Sequence, residues 1–410
     1  MAQESKGTRR SVKSLGATAN IGKLIRQYYQ KAHQVKAEGK PVAWITAIDP
    51  IEICYAMDVY PVLPENFAAV CSARQVAPEM IEAAEGEGYS NDLCSYARIC
   101  LGSLFGNPGP WGGMPEPDML IVSRNACTTH VKWWEAMARH LKKPLFVIDM
   151  PLQITDRKYE DDNPQDLKYI KAQLMDLIAF LEENTGRKLD EDKLRKTAAL
   201  SDRASQLWNE ILEYRKTVPT PMSAADSFTD IFPIVCLPGT QEAVDAYEQL
   251  CREVAERAKK KKGVLPEERH RLLWDNIPLW YNLGLYNYFE ERGSVFVIES
   301  YSTTWSGRVD PDDPLTGLAR KCSKIWLNSS LEIKINNTLK LAREYHVDGA
   351  ILHSNRSCKS YSIGQVDIQN ALKEHLGIPS IILEADMADV GKYADGPVKT
   401  RIDAFLELLD

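Results

Sequence analysis

The chain has 410 residues, of which 44% are hydrophobic and 26% are charged, a composition typical of a globular protein with ample material for a core. A chain of this length is long for one domain and suits two. The net charge of -7 argues against a nucleic-acid partner, because proteins that bind phosphate backbones usually carry a surplus of basic residues.

The beginning of the chain, "MAQESKGTRRSVKSLGATAN", is basic and polar and lacks the apolar core of a secretory signal. No apolar stretch approaches the roughly 20 residues that span a bilayer, so we expect a cytoplasmic protein with no membrane contact. The nine cysteines should then be reduced thiols. None of them forms a CxxC pair, so a metal site would have to be assembled from distant segments.

The first part of the chain predicts an α/β domain behind a flexible N-terminal segment. We place the flexible segment at 1–25 and the domain at 26–155. Short apolar runs typical of buried parallel strands lie at Val42 to Ile48, Met119 to Ser123 and Leu145 to Ile148.

A helical connector is predicted over 156–225. In its first helix Asn163 and Pro164 indicate the start and Gly186 the end. A second helix is expected over 190–215.

The remainder, 226–410, predicts a second α/β domain. Its strand candidates are Val295 to Glu299, Ala350 to His353 and Ser380 to Leu383. The whole pattern therefore indicates two doubly wound domains joined by helices.

One pattern occurs once in each predicted domain. The stretches "MLIVSRNAC" and "AILHSNRSC" each run from an apolar strand candidate through Ser, Arg and Asn to a cysteine, Cys127 or Cys358. Open α/β sheets bind ligands beyond the carboxyl ends of their strands, so these thiols suggest a site between the domains. Cys94 precedes a helix-like stretch, where a thiolate is electrostatically favoured. The alternative is that the cysteines are core thiols and the echo is chance.

Other motifs are weaker. The stretch "GATANIGKL" at Gly16 resembles a phosphate loop, but it has five residues between its glycines, and Leu24 stands where magnesium binding requires Ser or Thr. We therefore expect no ATP hydrolysis by this chain. His130 and His353 lie near Cys127 and Cys358 and could support a site there, or be ordinary polar residues.

Six segments resemble the family of 2-hydroxyacyl-CoA dehydratase and benzoyl-CoA reductase subunits, in order over nearly the whole chain after about residue 25. They are "KPVAWITAIDP", "YPVLPENFAA", "GYSNDLCSYAR", "PEPDMLIVSRNACTTHVKWWE", "DPDDPL" and "GAILHSNRSCKSYSIGQ". The resemblance implies two flavodoxin-like domains, with one 4Fe-4S cluster per chain in the cleft between them. It implies Cys94, Cys127 and Cys358 as the ligands of that cluster.

The resemblance also implies partners and a reaction class. The partners are a homologous second subunit, an ATP-hydrolysing iron-sulfur activator and an acyl-CoA substrate, which receives low-potential single electrons through a ketyl-type radical under anaerobic conditions. Three thiolates would leave one iron open to the thioester oxygen. Glu65 matches a carboxyl in the family's active-site region and could transfer protons, or simply cap a helix.

The resemblance leaves several alternatives open. We expect a benzoyl-CoA reductase-type subunit, because Ala47 stands where dehydratase chains of the family carry Ser near the cluster. The alternative is a subunit of an (R)-2-hydroxyacyl-CoA dehydratase that forms an enoyl-CoA. Further alternatives within the family are a reductase with a double-cubane cluster, which Cys100 or Cys322 could serve, and a non-catalytic electron-relay subunit. Outside the family, the alternative is a zinc-stabilised structural protein, which three cysteines so far apart in the chain argue against.

Overall fold

The computed structural model describes residues 11–153 and 162–410, and within these ranges its strands form two four-stranded sheets that are parallel throughout. The strands of the first sheet are β1 Val42–Ile45, β2 Tyr60–Val62, β3 Met119–Ser123 and β4 Leu145–Ile148; those of the second are β5 His270–Asp275, β6 Ser294–Glu299, β7 Gly349–Asn355 and β8 Ser380–Ala385. The predicted α/β class is therefore confirmed.

Both sheets have the same strand order. It is β2-β1-β3-β4 in the first sheet and β6-β5-β7-β8 in the second. The same order describes the first four strands of a flavodoxin-like doubly wound sheet. In that order, successive strands are added first on one side and then on the other side of the first strand, and ligands bind at the point between the two central strands where the side changes. The assignment to two flavodoxin-like domains stays a prediction, but the carboxyl ends of β1, β3, β5 and β7 are the places to look for a site.

Helices precede, connect and follow these strands. The α-helices of the described residues are α1 Gly16–Ala37, α2 Ile51–Ala56, α3 Pro64–Ala73, α4 Ala77–Gly86, α5 Ser95–Phe105, α6 Thr128–Leu141, α7 Pro164–Thr185, α8 Glu191–Tyr214, α9 Ala224–Asp230, α10 Phe232–Cys236, α11 Gln241–Lys259, α12 Gly284–Glu290, α13 Ser300–Thr303, α14 Pro314–Ser323, α15 Leu331–Glu344, α16 Lys359–Ser362, α17 Gln365–Leu376 and α18 Asp395–Leu409. Among them, none is long and apolar enough to cross a membrane.

The two helices predicted between the strand groups are confirmed. The side chain of Asn163 caps α7 by accepting a hydrogen bond from the backbone of Gln165, and Gly186 ends the helix in the left-handed conformation. Asp190 caps α8 in the same way. Both ends of α7 and the start of α8 therefore have the residue type that is preferred at such a helix end.

The strands predicted from apolar runs were found, with two omissions and several shifted ends. Strands β2 and β5 were not predicted. Strand β1 ends at Ile45 rather than Ile48, and β7 and β8 each run two residues past their predicted ends. The sequence "HRLLWD" of β5 contains three polar residues yet is buried throughout, because its charged side chains find partners. Arg271 pairs with Glu268, for example.

The N-terminal part of the chain is only partly described. Residues 1–10 of the predicted flexible segment, and 154–161 around the predicted connector boundary, lie outside the described residues. The predicted boundary at residue 25 falls inside α1, whose Ala17 and Ile21 are buried. The phosphate-loop lookalike is therefore the first turns of a helix.

One apolar core extends from the first sheet, across α8 and α11, to one face of the second sheet. A smaller cluster around Trp274, Phe296 and Phe405 lies on the other face of the second sheet. The two sheets thus share a packed interior, in which the elements that carry the cysteines are embedded.

Candidate functional site

Cys94, Cys127 and Cys358 line one cavity of about 190 Å³, together with Glu65 and His130. All nine cysteines lie in the described ranges, and these three are the partly exposed ones; the other six are buried. The three thiols predicted as a group therefore meet at one place, from three distant parts of the chain.

Cys94 is held at the start of α5. Arg98, one turn into the helix, donates through Nε to the carbonyl of Leu93 at 3.1 Å and reaches Glu85 and Asp389 with its other nitrogens. Gly102 lets α5 pack closely on α4, because a Cβ there would overlap the Met80 carbonyl. The buried arginine and the tight helix crossing fix the position of the thiol.

Cys127 lies between the end of β3 and the start of α6. In this loop the Ser123 hydroxyl donates to the Asn125 side-chain oxygen at 2.7 Å, and the Asn125 amide donates to the carbonyl of Cys322 at 3.3 Å. This bond joins the loop to α14 of the second half. The predicted position of Cys127, beyond the carboxyl end of a strand, is confirmed.

Cys358 follows β7 in the second sheet, also as predicted. Its neighbour Ser357 accepts a hydrogen bond from the backbone N–H of Ser95 at 3.1 Å and donates to Asp386 at 2.5 Å. The loops that carry Cys94 and Cys358 are thus directly hydrogen-bonded, through the residues next to the two cysteines.

Glu65 lies in the first turn of α3 and uses both carboxylate oxygens. Oε1 lies 3.1 Å from Nε2 of His130, and Oε2 accepts from the backbone N–H of Ala47 at 2.5 Å. Ala47 comes just after β1 and also lines the cavity. Glu65 therefore links the end of a central strand to α6, and it is not the cap of its own helix.

The thiols differ in their electrostatic surroundings. Burial raises the pKa of Cys127, but the neighbouring His130 more than offsets this, so that the pKa lies below its ordinary value of 9.0. Burial also lowers the pKa of His130, but Cys127 and Glu65 together raise it well above 6.5. The contact between Cys127 and His130 therefore shifts the pKa of each side chain in the direction of its charged form.

Burial has the largest effect on the pKa values of the other two thiols, Cys94 and Cys358. It raises the pKa of Cys94 well above 9.0 and that of Cys358 to about 12, and nearby thiols add to both shifts. The helix start that we expected to favour a Cys94 thiolate has a smaller effect than burial. A metal would reverse this balance, because its positive charge stabilises bound thiolates.

The rest of the cavity wall is largely aromatic and aliphatic. Its aromatic side chains are Tyr96, Phe228, Phe232, Trp280, Tyr301, Trp305 and Tyr361. Trp280 contacts Phe228 and Tyr301 edge to face, and its Nε1–H donates to the Tyr96 hydroxyl. Such a wall excludes water, which strengthens electrostatic interactions inside the cavity.

The three thiols that line the cavity are a donor set that could hold an iron-sulfur cluster. Among the described residues, no three His, Cys, Asp or Glu side chains are grouped to hold one metal ion. A cuboidal cluster binds each thiolate to a different iron, and three cysteines that line one cavity could bind it in this way.

Other residues considered from the sequence lie elsewhere. His353 is buried in β7, its Nδ1 is 2.7 Å from the carbonyl of Ile277, and burial lowers its pKa to about 4. Cys100 and Cys322, named for a larger cluster, are buried and are not among the residues that line the cavity. His130, in contrast, lines the cavity, where the sequence allowed it a supporting role, but its contact with Glu65 was not predicted.

Comparison with known proteins gives the family. A family model described as "2-hydroxyglutaryl-CoA dehydratase, D-component" matches residues 48–409. The chain belongs to this family. Its relatives include the (R)-2-hydroxyisocaproyl-CoA dehydratase alpha subunit of Clostridioides difficile, which is 32% identical over 95% of both chains. The (R)-phenyllactyl-CoA dehydratase alpha subunit of Clostridium sporogenes is 31% identical over 98% of this chain and 97% of its own.

A second kind of enzyme is almost as similar in sequence to this chain. A benzoyl-CoA reductase subunit of Thauera aromatica is 29% identical over 94% of this chain and 93% of its own. The resemblance inferred from the sequence segments is confirmed. An enzymatic role in dehydration or reduction follows from the family, but the comparisons divide between the two reactions.

Proposed function

We propose that this chain is the iron-sulfur subunit of an enzyme that acts on an acyl-CoA thioester, with Cys94, Cys127 and Cys358 as the ligands of a 4Fe-4S cluster. The observation that supports this most strongly is that the three partly exposed cysteines, out of nine, line one cavity. When bound, the cluster would supply low-potential single electrons to the substrate.

The protein's own residues would bind the acyl end and manage protons. The aromatic wall would exclude water from a radical form of the thioester. Glu65, held by Ala47 and paired with His130, would exchange a proton with the substrate as a general acid or base. His130 would keep Glu65 oriented between turnovers.

The reaction we favour is reduction, as in benzoyl-CoA reductase. At the end of β1 this chain has Ala47, which offers the cavity a methyl group and a backbone N–H that already donates to Glu65. The hydroxyl that dehydratase chains of the family would present there is absent from this residue. Two added hydrogens would reduce the acyl group or its ring.

Dehydration of an (R)-2-hydroxyacyl-CoA to an enoyl-CoA is the second candidate. It is favoured by the 32% and 31% identity to two dehydratase alpha subunits. Both reactions begin with one-electron reduction of the thioester to a ketyl-type radical, and the same cavity serves either.

The proposed enzyme needs two partners. A homologous second subunit would complete it, in keeping with the subunit names of the relatives. A separate iron-sulfur activator would hydrolyse ATP to raise the energy of the electrons. A chain that merely relays electrons would bind no acyl-CoA, and a double-cubane reductase would contain more iron and sulfide than one cluster provides.

Product analysis tests the proposal and separates its branches. The chain is purified anaerobically with its partner, supplied with activator and ATP, and given benzoyl-CoA or a 2-hydroxyacyl-CoA. Mass spectrometry should find a gain of two hydrogens for the reductase or a loss of water for the dehydratase. Iron-loaded protein that converts neither type of thioester would contradict the proposal.

A further inference from the structure

The cavity beside the three cysteines contains almost no charge that could receive a charged ligand. Among the residues that line it within 11–153 and 162–410, Glu65 and His130 are the charged or readily charged side chains besides the thiols; none is Lys, Arg or Asp. This matters because the family takes its name from 2-hydroxyglutaryl-CoA, whose acyl group ends in a second carboxylate.

Glu65 and His130 are already engaged with each other and with the backbone. The two side chains are 3.1 Å apart and face each other, and the second oxygen of Glu65 accepts from the backbone of Ala47. An incoming carboxylate would therefore meet the Glu65 carboxyl group, and the described lining residues include no Lys or Arg to pair with it. Burying an unpaired carboxylate is strongly unfavourable.

The rest of the wall suits an apolar group. Phe228, Phe232 and Val235 come from α9 and α10, and Tyr301 and Trp305 from α13 and the residues after it. Tyr301 and Trp305 pack edge to face with ring centres 5.7 Å apart. The space between these side chains can bury an aliphatic or aromatic acyl group, which gains free energy in proportion to the apolar area removed from water.

We propose that the substrate of this chain carries an uncharged, apolar acyl group, aliphatic or aromatic, and that acyl groups with a second carboxylate, such as glutaryl, are excluded. The inference rests on the proposed function, since it assumes that a CoA thioester enters this cavity. It assigns the chain a substrate class that does not include the 2-hydroxyglutaryl-CoA after which the family is named.

A shape-matched pair of unreactive thioesters tests this. Glutaryl-CoA and 5-methylhexanoyl-CoA have chains of equal length and end in two oxygens or two methyl groups. Binding of each, and of free CoA, to the anaerobically purified full chain with its partner is measured by calorimetry. We expect 5-methylhexanoyl-CoA to bind about 100-fold more tightly than glutaryl-CoA.

The outcomes separate this inference from the proposed function. A ratio above tenfold supports the inference. A smaller ratio, with both thioesters binding more tightly than free CoA, overturns the inference and leaves the proposed function standing. If neither thioester binds better than free CoA, the acyl-binding role itself fails and the inference fails with it.

A pair of neighbouring residues provides a matched control. Ile25 lines the cavity, whereas Leu24, next to it in α1, lines a different pocket. Both are half-buried, so an arginine at either position can keep its guanidinium partly hydrated and the fold can accommodate it. In Ile25→Arg, the ratio of the affinities for 5-methylhexanoyl-CoA and glutaryl-CoA should fall at least tenfold, because the arginine can pair with the glutaryl carboxylate. In Leu24→Arg, this ratio should be unchanged. Equal effects of the two variants would count against the inference.

Discussion

The carboxylate of Glu65 lies 3.1 Å from the imidazole of His130, at the wall of the cavity that the three cysteines share. His130 in turn lowers the pKa of the Cys127 thiol. One histidine therefore connects the proposed proton-transfer group with a proposed metal ligand. Under the proposed function, this arrangement would place proton exchange and electron delivery at the same wall of the cavity.

Glu65→Gln should separate catalysis from cluster binding. The amide oxygen can still accept from Ala47, but the side chain can no longer exchange a proton, so turnover should fall about 100- to 10,000-fold. Iron content should be unchanged. Acyl-CoA turnover and iron per chain are measured beside Glu82→Gln, at an exposed residue of α4. Near-normal turnover in Glu65→Gln would exclude the proposed role.

Asp49 should make stability depend on pH. It is 3% exposed, and burial raises its pKa from 3.8 to about 7. The folded state holds the proton more tightly than the unfolded state, so this contribution to stability is complete at low pH and is lost as pH rises from about 4 to about 7.

The Asp49→Asn variant has no carboxyl group at this position, so its stability should not fall through ionisation there as the pH rises. Its free energy of unfolding, relative to the wild type, should therefore increase by about 2 to 3 kcal/mol between about pH 5 and about pH 8. Urea unfolding at both pH values measures the change, and Asp312→Asn, at an exposed carboxyl, provides the control. The same difference at both pH values would show that Asp49 does not titrate in this range.

Arg215 and Glu299 form an ion pair whose side chains are both 0% exposed. Two guanidinium nitrogens donate to the two carboxylate oxygens at 2.7 and 2.6 Å. Arg215→Met would leave the buried Glu299 without its ion-pair partner, and should cost about 3 to 5 kcal/mol of unfolding free energy. Adding Glu299→Leu should recover part of that loss. Urea denaturation that finds the two single losses simply additive would mean that the pair does not interact.

This chain should not hydrolyse ATP. Its phosphate-loop lookalike is the start of α1, where the backbone N–H groups of Gly16 and Ala17 donate to Glu253 at 2.9 and 2.8 Å. The donors that a phosphate would need are therefore occupied by a carboxylate. Phosphate release by the pure chain should stay at background, with no change in Lys23→Ala. Hydrolysis that disappears in Lys23→Ala would contradict this.

Local patterns were enough to predict much of the fold. Six of the eight described strands are apolar runs, and α7 has both of its expected end residues. Strand β2, "YPV", is too short to stand out. Strand β5 contains His270, Arg271 and Asp275. Apart from Glu268, which is close in the chain, their partners Ser294, Tyr345 and Gln365 come from distant segments, and a single sequence does not show such partners.

The candidate site likewise has features that could be predicted from the sequence and features that could not. The positions of Cys127 and Cys358 beyond strand ends follow from local sequence, and the grouping of the three cysteines came from a family resemblance. The contact of Glu65 with His130, and the aromatic wall, join α3, α6, α9 and α13. Such contacts arise only when the chain is folded, so spacing along the sequence does not predict them.

The most direct test of the central claim is iron content in cysteine variants. We expect Cys94→Ser, Cys127→Ser and Cys358→Ser to lose most of their iron and sulfide while melting near the wild-type temperature, because a serine hydroxyl is a poor ligand for a cluster. Cys251→Ser, at a buried position in α11, should keep its iron. If Cys251→Ser strips the iron and Cys358→Ser retains it, the proposed cluster site is wrong.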